Sequence, residues 1–240
     1  MKKHVSVLAL CARNNLHMII GLLGMMCAGD MLLFRFNWNK YYEMGSVPFE
    51  ITLQGTPQVC FTFLMLVMVQ LCKNDGSSHS TGYTLRRLKI SEKTVVLWNG
   101  VYNSICLFLF WAVQTAVMLG LGCWYMRLLD PSYVSPQTLF LAFYRDPFLH
   151  NLLPLGNWTR YLCIGSLLLA AGFCASLMTC KLRRGSRYGW VMPLFACILL
   201  AVYFRQGVEH WSADAFGVFS AAALIGLDAF YCWRNADYEE

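Results

Sequence analysis

Six apolar runs divide the chain, at residues 16–34, 57–72, 95–125, 161–180, 190–204 and 213–233. Most approach the roughly 20 residues that a helix needs to cross a hydrocarbon layer about 30 Å thick. The pattern predicts an all-α membrane protein, one transmembrane domain over residues 1–240 with six transmembrane helices. Ahead of the first run, residues 3–13 (KHVSVLALCAR) are moderately apolar, too short to span, and closed by Asn14 and Asn15. They are expected to form a separate N-terminal helix lying on the cytoplasmic interface. The first run has no small-residue cleavage site and is too long for a signal-peptide core, so it is expected to be a retained span, the chain starting at or near Met1.

The gaps carry their own signals. Residues 35–56, with Gly45, Pro48 and Gly55, are expected to be an irregular outer loop. Residues 126–159 are rich in Leu and Phe but broken by Pro131, Pro136, Pro147 and Pro154, and are expected to lie in the outer interface without crossing. Ser91 is placed to cap the third helix, with Glu92 in its first turn. If that helix runs unbroken to Tyr125 it is about 50 Å long at ~1.5 Å per residue and overshoots the bilayer.

Charge fixes the expected orientation. With the N-terminus inside, cytoplasmic segments hold thirteen of the nineteen Lys and Arg residues, so both termini are expected to be cytoplasmic in a multi-pass protein of the cell membrane. Only 13% of residues are charged and 58% are hydrophobic, against about 25% charged in soluble domains. The net charge of +6 therefore needs no nucleic acid to explain it, and the basic face suits anionic lipid headgroups. Trp and Tyr residues gather at the run ends, as in an interfacial belt. The eleven cysteines lie mostly inside the runs with no C-x-x-C pair, so they are expected to be packing residues, without a disulfide framework or a zinc site.

Candidate chemistry is sparse. The dipeptide Gly-Lys never occurs, so the chain has no phosphate-cradling loop, and neither H-E-x-x-H nor G-x-S-x-G is present. No catalytic residue, metal site or cofactor is expected in this chain. Polar residues inside the runs are Asp30, Gln70, Asn99, Asn103, Gln114, Thr115 and Asp228. Of these, Asp30, Asn99, Asn103 and Gln114 are candidates for a substrate path. The competing reading is interfacial solvation for the two Asp residues and helix–helix hydrogen bonding for the asparagines. On the outer side, Arg205, Glu209, His210 and Asp214 form a second cluster, able to bind a metal or shuttle protons in an integral-membrane enzyme or maturation factor. The alternative there is a solvated turn anchored by Trp211.

The most distinctive stretch follows the second run: STGYTLRRLKISEKTVVLWNGVYN, residues 80–103. Leu85 and Leu88 share one helical face while Arg86 and Arg87 project elsewhere. With six spans, inside termini and an interfacial N-terminal helix, this stretch resembles the permease subunits of ABC-type exporters of the type-2 export family, which have the type V transporter fold. The chain is also similar to small permeases of peptide-antibiotic export and immunity systems. The resemblance implies that Tyr83, Thr84, Leu85, Arg86, Arg87 and Leu88 form a coupling helix that docks on a separate ATP-binding subunit, where ATP and Mg reside. It implies a second permease subunit, the same or related, and a peptide-like or amphiphilic substrate. In many family members the substantial outer helices lie between the fifth and sixth spans, whereas here the long outer segment follows the third.

Overall fold

The computed structural model of the protein describes residues 2–41, 48–73, 91–129, 135–183, 187–205 and 211–234. Its elements are α1 (Lys2–Tyr41), α2 (Phe49–Thr52), α3 (Thr56–Lys73), α4 (Glu92–Leu128), α5 (Pro136–Arg145), α6 (Pro147–Leu152), α7 (Trp158–Arg183), α8 (Val191–Arg205) and α9 (Trp211–Arg234). A 3₁₀ turn, Arg187–Trp190, leads into α8. Five of the helices, α1, α3, α4, α7 and α9, are long and apolar enough to cross a membrane.

Two expectations need correction, and the span expected at 190–204 is met only by a shorter helix. The N-terminal interfacial helix is not separate: α1 is a single helix of 40 residues, about 60 Å long. Asparagine in a helix interior costs only a fraction of a kcal/mol, about 0.7 at most, and it neither removes an N–H nor forces a turn. Asn15 is buried against α3, where its Oδ1 accepts a hydrogen bond from Gln70 Nε2 at 3.4 Å. The same helix also runs on through Arg35–Tyr41, which had been assigned to an irregular loop. Finally, the fifth apolar run yields only a 15-residue helix, about 22 Å long, shorter than the other apolar helices. Pro193 sits in its first turn, where a missing N–H is tolerated. The third helix, by contrast, runs unbroken for 37 residues as expected.

Side-chain pairings give the direction of each helix. Asn15 meets Gln70, and Val59 packs against Gly29, so α1 and α3 are antiparallel. Asp30 meets Gln114 and Phe34 meets Trp124, so α1 and α4 are parallel. Glu92 meets Cys180, Val96 meets Ser176 and Trp111 meets Tyr161, so α4 and α7 are antiparallel along their whole shared length. Between α7 and α9 the pairs Arg160 with Asp214 and Cys163 with Gly217 keep one offset, 54 residues, so these helices are parallel. The alternation puts both ends of the described chain at the same end of the bundle. The C-terminal end of α3 and the N-terminal end of α4 lie at that end too.

The core sits on α7. In its apolar stretch 72% of residues are buried within the protein, against 22% in α1 and in α9. Small residues make this possible. A Cβ on Gly172 of α7 would lie 2.6 Å from the backbone nitrogen of Ser104 on α4, and one on Gly100 would lie 2.6 Å from the Phe173 ring. Gly100 and Ser104 on one helix, with Gly172 and Ser176 on the other, are each four residues apart. This is the small-residue stripe that lets two helices approach closely in a bilayer. On the outside, Met18, Ile20, Leu32 and Phe36 of α1 and Phe216, Phe219 and Phe230 of α9 are exposed. Water does not tolerate apolar surface on that scale, and the architecture is that of a multi-pass membrane protein.

Candidate functional site

The four candidates for a substrate path are turned inward. Asp30, Asn99, Asn103 and Gln114 are each 0% exposed. Three of them lie on α4, two against α7 and one against α1. Asn99 Nδ2 donates to Thr179 Oγ1 at 3.1 Å, and Asn103 Nδ2 donates to the Gly172 carbonyl at 3.4 Å. These are the interhelical hydrogen bonds expected of polar groups in a bilayer bundle. Each asparagine Oδ1 nevertheless has no hydrogen-bond partner.

Gln114 faces α1, where its Nε2 donates to Asp30 Oδ2 at 3.0 Å. Asp30 Oδ1 and Gln114 Oε1 have no donor. Interfacial solvation is therefore wrong for Asp30, and also for Asp228, which is 5% exposed and lies beside the Cys174 thiol. The sequence shows each Asp near a run end, yet α1 extends seven residues beyond its apolar run and carries Asp30 deeper into the bundle. A small cavity of about 10 Å³ adjoins Gln114 and is lined also by Cys60, Leu64, Phe110, Trp111 and Phe204 among others. It has room for about one water. Trp111 Nε1 on its wall is also unpartnered.

At the end of the bundle where α7 and α9 begin, the setting of Asp214 differs from the one expected. Asp214 is 3% exposed and is not part of a solvated turn. Its Oδ1 is held by Arg160 Nη1 in an ion pair, and its Oδ2 accepts from Thr159 Oγ1 at 3.1 Å. Arg160 Nε donates to Asn151 Oδ1 at 2.8 Å, Asn151 Nδ2 donates to the Phe204 carbonyl at 3.1 Å, and the guanidinium lies 5.9 Å from the Tyr203 ring centre. Four elements, α6 to α9, are thus clasped by one buried cation. Both Asp214 oxygens are engaged by protein donors, and among the described residues no group of His, Cys, Asp and Glu is arranged to hold a metal. Glu209 and His210 lie outside the described residues, as do Tyr83, Thr84, Leu85, Arg86, Arg87 and Leu88.

Of the clasp, the sequence pattern singles out Asp214 but neither Arg160 nor Asn151. Arg160 counts in the sequence as one more outer charge. Its position two residues inside the start of α7, without another charge nearby, was the available signal. Asn151 gave none, since α6 is only six residues long.

Each sequence-predicted residue that is described is therefore placed at a helix–helix contact: Asp30 with Gln114 between α1 and α4, Asn99 and Asn103 between α4 and α7, and Asp214 between α7 and α9. No protein-family model, curated protein or solved structure matches this chain.

Proposed function

We propose that the chain is a membrane-spanning permease subunit of an ATP-driven exporter. It works with a separate ATP-binding subunit and with a second permease, either another copy or a related chain. In this reading α8 makes a sixth, short crossing, both termini are cytoplasmic, and the cargo is peptide-like or amphiphilic.

The observation that carries the reading is α4. It starts at Glu92, with three residues between it and the TLRRL segment at 84–88, and continues without a break for 37 residues. At about 55 Å it is longer than the ~30 Å hydrocarbon layer. Along that length it packs on α1 on one side and on α7 on the other. A push delivered at residues 83–88 by ATP-driven closure of the partner subunits would tilt a rigid rod seated between the two halves of the bundle. The unmatched carbonyl oxygens of Asn99, Asn103 and Gln114 all belong to this rod. Movement that parted α4 from α1 or α7 would expose them to cargo, giving the two states different contacts.

The test is a Leu85→Asp, Leu88→Asp double variant. A charge placed on the apolar face of the docking segment is unpaired in the contact and costs several kcal/mol, about 2 or more. The variant is expected to insert and fold normally, to lose co-purification of the ATP-binding subunit, and to lose export. Charge reversal at Arg86 and Arg87 is expected to do less, because exposed ion pairs are commonly worth under ~1 kcal/mol. Capture of the ATP-binding subunit at the wild-type level by the double variant overturns the reading.

A further inference from the structure

We infer that Asp30 and Gln114 form a binding site for one proton, held between α1 and α4 inside the bundle. The inference stands on the geometry of this pair and does not require the chain to be a transporter. The amide of Gln114 donates from Nε2 to Asp30 Oδ2 at 3.0 Å, which uses one edge of the carboxyl group. What remains on the two groups is one oxygen each, Asp30 Oδ1 and Gln114 Oε1, both buried and both without a hydrogen bond. Two acceptors cannot satisfy one another. A proton on Oδ1 turns that oxygen into a donor to Oε1, and the pair becomes a two-bond ring of carboxylic acid and amide.

Among the described residues the surroundings offer no substitute for that proton. Asp30 lies close enough to act on two thiols, Cys27 on α1 itself and Cys60 on α3, while α4 presents the neutral Gln114. Among the described residues the one ion pair is Arg160 with Asp214, elsewhere in the bundle. An ionised Asp30 would therefore be a buried charge with a single amide donor, an arrangement that proteins avoid. A water in the neighbouring cavity can bridge Trp111 Nε1 to Gln114 Oε1, because a carbonyl oxygen accepts two bonds. Asp30 is not on the wall of that cavity, so such a water leaves Oδ1 unmatched.

Infrared spectroscopy of the full chain in lipid vesicles reads the proton directly. At neutral pH the wild type is expected to show the C=O stretching band of a protonated carboxylic acid, shifted to lower frequency in D₂O and lost in Asp30→Asn. That variant can keep both bonds of the ring, its own amide donating to Gln114 Oε1, so it is expected to fold with unchanged thermal stability. Gln114→Met removes the amide at similar volume and is expected to shift the same band to higher frequency. A wild-type minus Asp30→Asn difference that contains only carboxylate bands overturns the inference. If Asp30→Asn fails to insert, the Gln114→Met comparison decides, and an unmoved or absent acid band overturns it equally.

Discussion

At the scale of single residues the heaviest demand falls on Arg160. Its partners come from Asn151 on α6, Tyr203 on α8 and Asp214 on α9, so one side chain reports whether four elements are in place. Breaking a buried pair by removing one partner costs about 3–5 kcal/mol, because the other charge is left uncompensated. Asp214→Ala is therefore expected to destabilise the protein by that amount in denaturant unfolding from detergent, and Arg160→Met with Asp214→Leu by clearly less. Asn99→Leu is a milder case. It removes one interhelical hydrogen bond, for which about 0.6–1.7 kcal/mol is expected. A full loss of export with so small a loss of stability would separate a cargo-contacting role from a packing role. The residue types and the helices that carry them could be read from the sequence, since a polar group in an apolar run must face protein. Their partners could not. Asp30 meets Gln114 across 84 residues, and no local pattern encodes which face of a distant helix will be opposite.

Elements were legible where apolar runs were long. The runs at 95–125 and 161–180 became α4 and α7, each extended by about one turn at either end because charged and aromatic residues there remain good helix formers. The errors came where polarity was taken as punctuation. Asn14, Asn15 and residues 35–41 lie within α1, because polar residues end a helix only when they cap it or break its backbone. The contact between α4 and α7 makes a sharper prediction. Gly172→Val would drive a side chain into the Ser104 backbone, which has no rotamer by which to yield. The two helices must then separate, and the Asn103 to Gly172 and Ser104 to Leu169 hydrogen bonds at 3.4 Å are lost with the contact. The expected cost is about 1–3 kcal/mol, as for overpacking of other cores. Gly120→Val, at a position with nothing within 4 Å, is the control and is expected to be near neutral in the same unfolding assay.

For the whole molecule, two independent observations bear on topology, the Lys and Arg distribution and the alternation of helix directions. One came from charges in the gaps and the other from pairings inside the bundle. Accessibility labelling joins them. In a cysteine-less background, Ser78→Cys and Gly185→Cys are expected to be shielded from an impermeant reagent added outside intact cells, and Gln137→Cys to react. Labelling at position 78 from outside would invert the orientation. The clasp around Arg160 also has a consequence for biosynthesis. Its carboxylate partner is translated 54 residues later, at the start of the last helix. Until then the growing chain holds an arginine whose counter-ion does not yet exist, so α7 can settle only after residue 214 has been made. A polypeptide cut short before Asp214 keeps that unpaired cation, and membrane proteases are expected to clear it far faster than a chain that includes α9, making α7 a proofreader of α9.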